Sequence, residues 1–226
     1  LGLLTEMRRG GLPPNVISYN AVLKVLARAS QWRPAMTLIE EMWNEGVTPD
    51  VISYSIAISA CDKAQRWVEA LQLLDEMETN GIYPDTIAYN AAISACARCG
   101  EFERAQQLLD SMREAGVAPD VISYNAAINA CARGGRWDQA LGLLSSMRGA
   151  QVLPETITYN AALNACEKGR KGKEALKLLI DMWEDKVEAT TGTYNAAMRA
   201  CEKGGLKAEA LELLQEMQDE GVPLDK

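Results

Sequence analysis

Four kinds of side chain recur in this chain at a fixed interval of 35 residues, each with its own chemical capacity. An amide, or once a hydroxyl, stands at Asn20, Ser55, Asn90, Asn125, Asn160 and Asn195. A cation stands at Arg28, Lys63, Arg98, Arg133, Lys168 and Lys203. An aliphatic residue stands at Ile17, Ile52, Ile87, Ile122 and Ile157, and Gly192 takes the sixth place. The fourth row is Asp50, Asp85, Asp120, Glu155, Thr190 and Asp225. Amides and carboxylates discriminate hydrogen-bonding edges, an aliphatic side chain packs on the face of a flat ring, and Lys or Arg neutralises phosphate. A ladder of all four suits a polymer of flat rings with one phosphate each, which is single-stranded nucleic acid.

The elements that carry this ladder follow from the same period. Tyr19, Tyr54, Tyr89, Tyr124, Tyr159 and Tyr194 keep the 35-residue step, as do Met42, Met77, Met112, Met147, Met182 and Met217. Six repeats therefore run 16–50, 51–85, 86–120, 121–155, 156–190 and 191–225, after a partial repeat, 1–15, that holds a second helix only. Each full repeat reads as two helices. In 121–155, helical spacing predicts a first helix over about Ser123 to Arg133, ended by Gly134-Gly135, and a second over about Asp138 to Gly149. Pro49, Pro84, Pro119 and Pro154 mark the turn into the next repeat.

The stripe Tyr124, Ala127, Ile128, Cys131 and the stripe Ala140, Leu141, Leu144, Met147 need burial that one helix pair cannot supply. Stacked pairs can supply it. The expected fold is all-α, an α-solenoid superhelix of helix-turn-helix repeats, right-handed, with first helices lining the concave side. On a helical wheel Ile122, Asn125, Asn129 and Arg133 fall opposite the buried stripe and share one face. A plainer reading of two rows is that Asn caps the helix and the cation complements its C-terminal dipole. That leaves the recurring exposed Ile unexplained.

Composition narrows the classes of activity. The 226 residues contain no His, which removes Ser-His-Asp and Cys-His catalysis and the commonest metal ligand. Cys61, Cys96, Cys131, Cys166 and Cys201 share one place on the buried stripe and read as core residues of a chain kept in a reducing compartment. Cys96 and Cys99 resemble half a zinc site without a second pair, so no metal and no cofactor is expected. Trp32, Trp67, Phe102 and Trp137 read as packing residues at the start of second helices. No apolar run reaches membrane-spanning length, so no membrane partner is expected. No editing-deaminase signature is present, and an enzyme is not expected. The opening "LGLLTEM" matches "LGLLSSM" from Leu141, so any targeting peptide is expected upstream of residue 1.

The net charge of −8 argues against nucleic acid by itself, but the acids Glu40, Glu41, Glu69, Glu76, Glu209 and Glu212 fall on second helices, away from the cation row.

The repeat "VISYNAAINACARGGRWDQALGLLSSMRGAQVLPE" resembles the pentatricopeptide repeat of the pure 35-residue class, the P-class. The shared marks are a V-x-x-Y-N opening, a Gly-containing helix break, an Ala-Leu-x-Leu-Leu-x-x-Met second helix and a Pro-Asp ending. Tetratricopeptide repeats, with a period of about 34, do not hold phase with this chain. The resemblance implies single-stranded RNA binding in an organelle, mitochondrion or chloroplast, one base per repeat, serving RNA stabilisation, processing or translation. It implies that the residue after each Tyr and the last residue of the repeat select the base: Asn20 with Asp50, Ser55 with Asp85, Asn90 with Asp120, Asn125 with Glu155, Asn160 with Thr190 and Asn195 with Asp225. It implies that Ile17, Ile52, Ile87, Ile122 and Ile157 sandwich the bases and that the six cations contact phosphate.

Asp only accepts hydrogen bonds, and U and G carry an imino N–H on the pairing edge. Asn reaches a pyrimidine, whereas the shorter Ser55 leaves room for a purine. The family's pairing of Asn with Asp for U agrees, and the expected core is 5′-U-G-U-(U/C)-(U/C)-U-3′. Glu155 and Thr190 depart from the usual Asp, and Gly192 supplies no apolar plate. The competing expectation is a helical scaffold for protein contacts, such as a subunit of an organellar ribosome or another large complex, since solenoids serve that end widely.

Overall fold

The computed structural model describes residues 2–219; the C-terminal base-selecting candidate Asp225 lies outside them. Among the described residues every regular element is an α-helix: α1 (Gly2–Arg9), α2 (Val16–Arg28), α3 (Trp32–Asn44), α4 (Val51–Lys63), α5 (Trp67–Thr79), α6 (Thr86–Cys99), α7 (Phe102–Glu114), α8 (Val121–Arg133), α9 (Trp137–Gly149), α10 (Thr156–Gly169), α11 (Gly172–Glu184), α12 (Thr191–Lys203) and α13 (Lys207–Asp219). The chain forms an α-solenoid of helix-turn-helix repeats that divides into two bodies. Leu1–Cys99 with Glu103–Pro119 make the N-terminal body, and Gly100–Phe102 with Asp120–Lys226 the C-terminal one.

Each body is built by stacking of first helices. In the N-terminal body α4 packs against α2 and α6, with α3 and α5 behind them. In the C-terminal body α10 packs against α8 and α12, with α9 and α11 behind. Small residues permit this approach: Ala57, Ala60, Ala92, Ala95, Ala127, Ala130, Ala162 and Ala165 are all fully buried. Tyr19, Tyr54, Tyr89, Tyr124, Tyr159 and Tyr194 are buried too, as are Met42, Met77, Met112, Met147 and Met182. A fully buried Leu or Met contributes about 1.5–3 kcal/mol, so each added repeat extends one core. On α9 the stripe is shifted from expectation: Leu143 is buried and Leu141 only half-buried. α9 faces both its own first helix α8 and the next, α10, and two contact directions broaden the stripe.

The buried Tyr rings end in hydroxyls that need partners, and the preceding repeat and their own supply them. Trp43 Nε1 donates to Tyr54 Oη (3.1 Å), which donates to Glu76 Oε1 (2.9 Å). Arg148 donates to Tyr159, whose hydroxyl lies 2.5 Å from Asp185 Oδ2. Burial pushes the Tyr54 and Tyr89 phenols up to about 12, with Glu76 and Glu78 adding to it. Burial likewise raises the thiols of Cys61 and Cys166 to about 12 and Cys131 to about 11. These thiols stay protonated and behave as core groups. Cys96 is buried, whereas Cys99 is exposed and donates to the Gln65 carbonyl (3.4 Å).

Most helix ends follow one scheme. The residue after the C-cap takes a left-handed conformation, at Gly46, Gly81, Gly116, Gly135 and Gly205 but also at Ser30 and Gln65, whereas on α10 the C-cap Arg170 itself does so. The next N–H then reaches back to a core carbonyl, as in Arg136 N to Cys131 O (2.9 Å) and Val152 N to Met147 O (3.0 Å). At the other end, the sequence placed the first-helix start at Ser123, but α8 begins at Val121 because Asp120 is its N-cap. Ser123 N donates to Asp120 Oδ1 (2.9 Å), and Asp120 N donates to Ser123 Oγ (3.1 Å), a reciprocal capping box. Asp50 and Ser53 repeat it on α4. Thr158 and Thr193 accept from the N–H of Glu155 and Thr190 at 3.1 and 3.0 Å. The plainer expectation that the Asn row caps these helices is therefore corrected: the last residue of the preceding repeat stands at the cap, because the helix starts four residues before each of these Asn.

Two glycines on α9 and α10 test the stacking. A Cβ on Gly169 would lie 2.5 Å from Trp137 Cδ1 and 3.1 Å from Trp137 Cβ, whereas one on Gly142 would meet nothing within 4 Å. Gly169→Ala should lower stability by about 1–3 kcal/mol through overpacking. Gly142→Ala should raise it by about 0.5–1 kcal/mol. Denaturant midpoints decide both, and equal shifts would contradict the packing described.

The cap predicts a pH effect. Burial acts to raise the Asp50 carboxyl, but bonds from Ser53, Asn20 and its own backbone outweigh it, and the group titrates below its ordinary value. A depressed carboxyl contributes stability above its unfolded value of about 3.9 and loses it as pH falls through the folded value. Asp50→Asn keeps a capping oxygen but not the charge. The variant should be less stable at pH 7, and the gap should narrow as pH drops from 5 towards 3. Thermal midpoints across that range check it, and a constant gap would contradict it.

Candidate functional site

The cap geometry fixes one face of each first helix. With the cap one residue ahead of the first turn, the second helical residue cannot reach the core. Ile17, Ile52, Ile87, Ile122 and Ile157 are accordingly between 55% and 78% exposed. That is a row of aliphatic side chains left more than half in water by the described residues. Gly192 continues the row without a side chain.

The amide row is less exposed than its helical face implied. Asn20 is only 8% exposed and Ser55 6%; Asn90, Asn125, Asn160 and Asn195 are half-buried. The reason is the next repeat. Asn20 Nδ2 donates to Asp50 Oδ1 (3.2 Å), and Ser53 Oγ lies 2.7 Å from Asn20 Oδ1 and 2.8 Å from Asp50 Oδ1. The carboxylate that caps α4 thus holds the amide of α2, and the two base-selecting candidates of one repeat meet across 30 residues of sequence. Ser55 and Asp85 meet more loosely. Ser55 Oγ donates to its own helix at Val51 O (2.7 Å) and lies 3.5 Å from Asp85 Oδ1, the outer limit of a hydrogen bond. Asp85 also receives Ala88 N (2.9 Å). In the C-terminal body Asn125 Oδ1 and Asn160 Oδ1 are buried with no hydrogen-bond partner. Their repeats end in Glu155 and Thr190, both exposed, rather than in a half-buried Asp. Asp120 is half-buried.

The six cations are all exposed but are not equivalent. Among the described residues, Arg28 and Lys63 have no acidic partner within 4 Å. Arg98 Nε lies 2.8 Å from Asp62 Oδ1. Lys203 Nζ lies 2.7 Å from Glu167 Oε1, and Arg199 Nε lies 3.0 Å from Glu167 Oε2. Lys168 Nζ donates to Arg133 O (3.2 Å). The sequence reading treated the row as uniform. It missed Asp62 and Glu167 because each lies one place before a cation in its own repeat and acts on the cation of the next. A 35-residue register of acids against cations would have found them.

One cleft collects the rows. It measures about 330 Å³ and is lined by Ile52 and Ile87 of adjoining repeats, Ser55 and Asp85, and the cations Lys24, Arg28 and Lys63. That volume is at the lower end for ligand sites, which run about 300–1,000 Å³. Two aliphatic plates, one acceptor-only carboxylate and three cations in one cleft suit a flat, donor-bearing, anionic ligand. Lys24 escaped the sequence reading because its place is polar but not basic in most other repeats.

The sequence matches the pentatricopeptide repeat domain over residues 72–136. It matches the PPR repeat family over 14–63 and 119–168, and the PPR repeat over 52–82, 157–187 and 192–222. No curated protein matches the chain. Among solved structures, the pentatricopeptide repeat protein PPR10 from maize is similar at 30% identity and a TM-score of 0.74, covering 100% of this chain and 32% of its own. The chain thus spans about a third of the maize protein's length. PPR10 in complex with an 18-nt psaJ RNA element is similar at 24% identity and a TM-score of 0.60, covering 99% of this chain and 38% of that one. The PPR domain of Arabidopsis thaliana protein-only RNase P 1 in complex with tRNA is similar at 19% identity and a TM-score of 0.65, covering 75% of this chain and 89% of that one. With matches from residue 14 to 222 and helix pairs throughout, the chain belongs to the pentatricopeptide repeat family.

Proposed function

We propose that the protein binds single-stranded RNA sequence-specifically, one base per repeat, and acts in an organelle on RNA stabilisation, processing or translation. The observation that carries this reading is the cleft between Ile52 and Ile87, where Ser55, Asp85, Lys24, Arg28 and Lys63 converge. A base entering it lies between two aliphatic side chains and presents its edge to Ser55 and Asp85, with its phosphates towards the cations. Asn20 with Asp50, Asn90 with Asp120, Asn125 with Glu155, Asn160 with Thr190 and Asn195 with Asp225 select the remaining bases in the same way. PPR10 and the RNase P domain, both RNA-bound in their structures, support the class of partner.

Local chemistry supports the assignment of bases. Asn20 already donates to Asp50, which leaves a short space for a pyrimidine such as U. Ser55 spends its proton on Val51 O, so Asp85 remains an acceptor beside open space, as the pairing-edge donors of G require. The unpaired amide oxygens of Asn125 and Asn160 support a looser pyrimidine choice in those repeats. The preferred core is U-G-U-(U/C)-(U/C)-U. A second reading, a protein-docking scaffold, draws on α11 and α13, where Leu176, Ile180 and Trp183 line an outward groove of about 280 Å³ with Glu209 and Glu212.

Ser55→Asn tests the reading. The longer amide should reach Asp85 as Asn20 reaches Asp50, fill the purine space and convert the second base of the core from G to U. A discriminating base contact is worth about 1–3 kcal/mol. Relative affinity for long oligonucleotides carrying UGUUUU or UUUUUU should therefore shift about tenfold or more towards the latter. Fluorescence anisotropy measures it. Unchanged preference in RNA that binds would contradict base selection by this row.

A further inference from the structure

The cation row has the same sign in all six repeats, but the residue just before each cation does not. It is Ala27, Ala97 and Ala132 in three repeats, and Asp62, Glu167 and Glu202 in the others. The structure puts two of these acids to use against the following repeat. Asp62, only 8% exposed, holds Arg98 Nε at 2.8 Å. Glu167 holds Lys203 Nζ at 2.7 Å and Arg199 Nε at 3.0 Å, one oxygen to each. In both cases the acid is the less exposed partner and the cation keeps about half of its side chain in water, at 48–51%.

The geometry points to a role for Asp62 and Glu167 as internal competitors of the RNA backbone: each occupies cations of the neighbouring repeat, and together they concentrate phosphate binding on the cations left without an acid, chiefly Arg28 and Lys63. This rests on the RNA reading above. A phosphate approaching Arg28 or Lys63 meets a full positive charge. One approaching Arg98 meets an ion pair whose carboxylate repels it, and must displace that carboxylate to form a short bond. Ion pairs whose cation stays about half in water add little stability, so stapling repeats is a weak reason to place acids on the ligand face. The Glu167 carboxyl is well occupied: burial acts to raise it, but hydrogen bonds from Lys203 and Arg199 outweigh burial and hold it below its ordinary value. Lys24, Arg28 and Lys63 line the same cleft as Ile52, Ile87 and Asp85, so the available charge stands beside that base site.

The amide variants Asp62→Asn and Glu167→Gln keep size and hydrogen bonding but remove the competing charge. Each cation freed to meet a phosphate should steepen the slope of log affinity against log salt by about 0.7 on single strands. Asp62→Asn frees one cation and Glu167→Gln two, so the slopes should steepen by about 0.7 and 1.4. Affinity relative to the native protein should rise at low salt and that gain should fall, between 50 and 200 mM salt, by about 2.6-fold and sevenfold respectively. Preference between UGUUUU and UUUUUU cores should not move, because the charge reads no base. Arg98→Ala should cancel the gain when combined with Asp62→Asn. If the native protein binds RNA but Asp62→Asn and Glu167→Gln leave its slope unchanged, the inference is overturned alone. The same holds if Arg98→Ala by itself removes a full 0.7, which would show that the arginine already grips phosphate. Failure of the native protein to bind RNA overturns both this inference and the RNA reading.

Discussion

The first N–H groups of every first helix have no partner within that helix, and in this chain the answer comes from the residue that closes the preceding repeat. Asp50 and Asp120 do it with a carboxylate and receive a reciprocal bond at Ser53 and Ser123. Much else depends on this requirement. It fixes where α4 and α8 begin, and so which residue is second and stands out in water as Ile52 or Ile122. It also brings the capping carboxylate against the previous helix, where Asp50 meets Asn20. A bond required for helix initiation therefore doubles as the joint between repeats and as one wall of the place where a base is proposed to lie.

The same economy explains why the repeats within each body stack in register. Tyr rings anchor each first helix, and the Tyr54 hydroxyl is tied to side chains of two successive second helices, at Trp43 and Glu76. Where the pattern loosens, the consequence is visible. Trp137 packs against Gly169 under the Lys171 ammonium, 4.3 Å from the ring centre. One repeat later Gly172 replaces the ring and Leu206 replaces the cation, and a Cβ on Gly172 would lie 2.9 Å from Leu206 Cδ1. Ring and cation are exchanged together, which keeps the contact filled.

Periodicity made most of this legible. A 35-residue step repeated six times located the helix pairs, the buried Tyr, Cys and Met rows and the exposed Ile row. What it could not show was interaction between repeats that differ. The burial of Asn20 depends on Asp50 and Ser53 of the next helix, and helical phase alone placed that amide in water. Asp62 and Glu167 were invisible for the same reason: each is unremarkable in its own repeat and acts on a residue 36 positions away. Net charge was a poor guide as well. The chain carries −8 overall, yet Lys24, Arg28 and Lys63 gather at one cleft with a single carboxylate. Which helix face carries each charge, not the sum, decides where the cations gather.

The central claim is that the shared joint between successive first helices reads bases in order. Selection of bound sequences from a randomised single-stranded RNA pool tests it most directly, since it assumes no core in advance. The account expects enrichment of one G flanked by U, followed at fixed spacing by pyrimidines, with the G in register with Ser55 and Asp85. Enrichment of an unrelated motif, or binding of the pool without enrichment at any position, would contradict it.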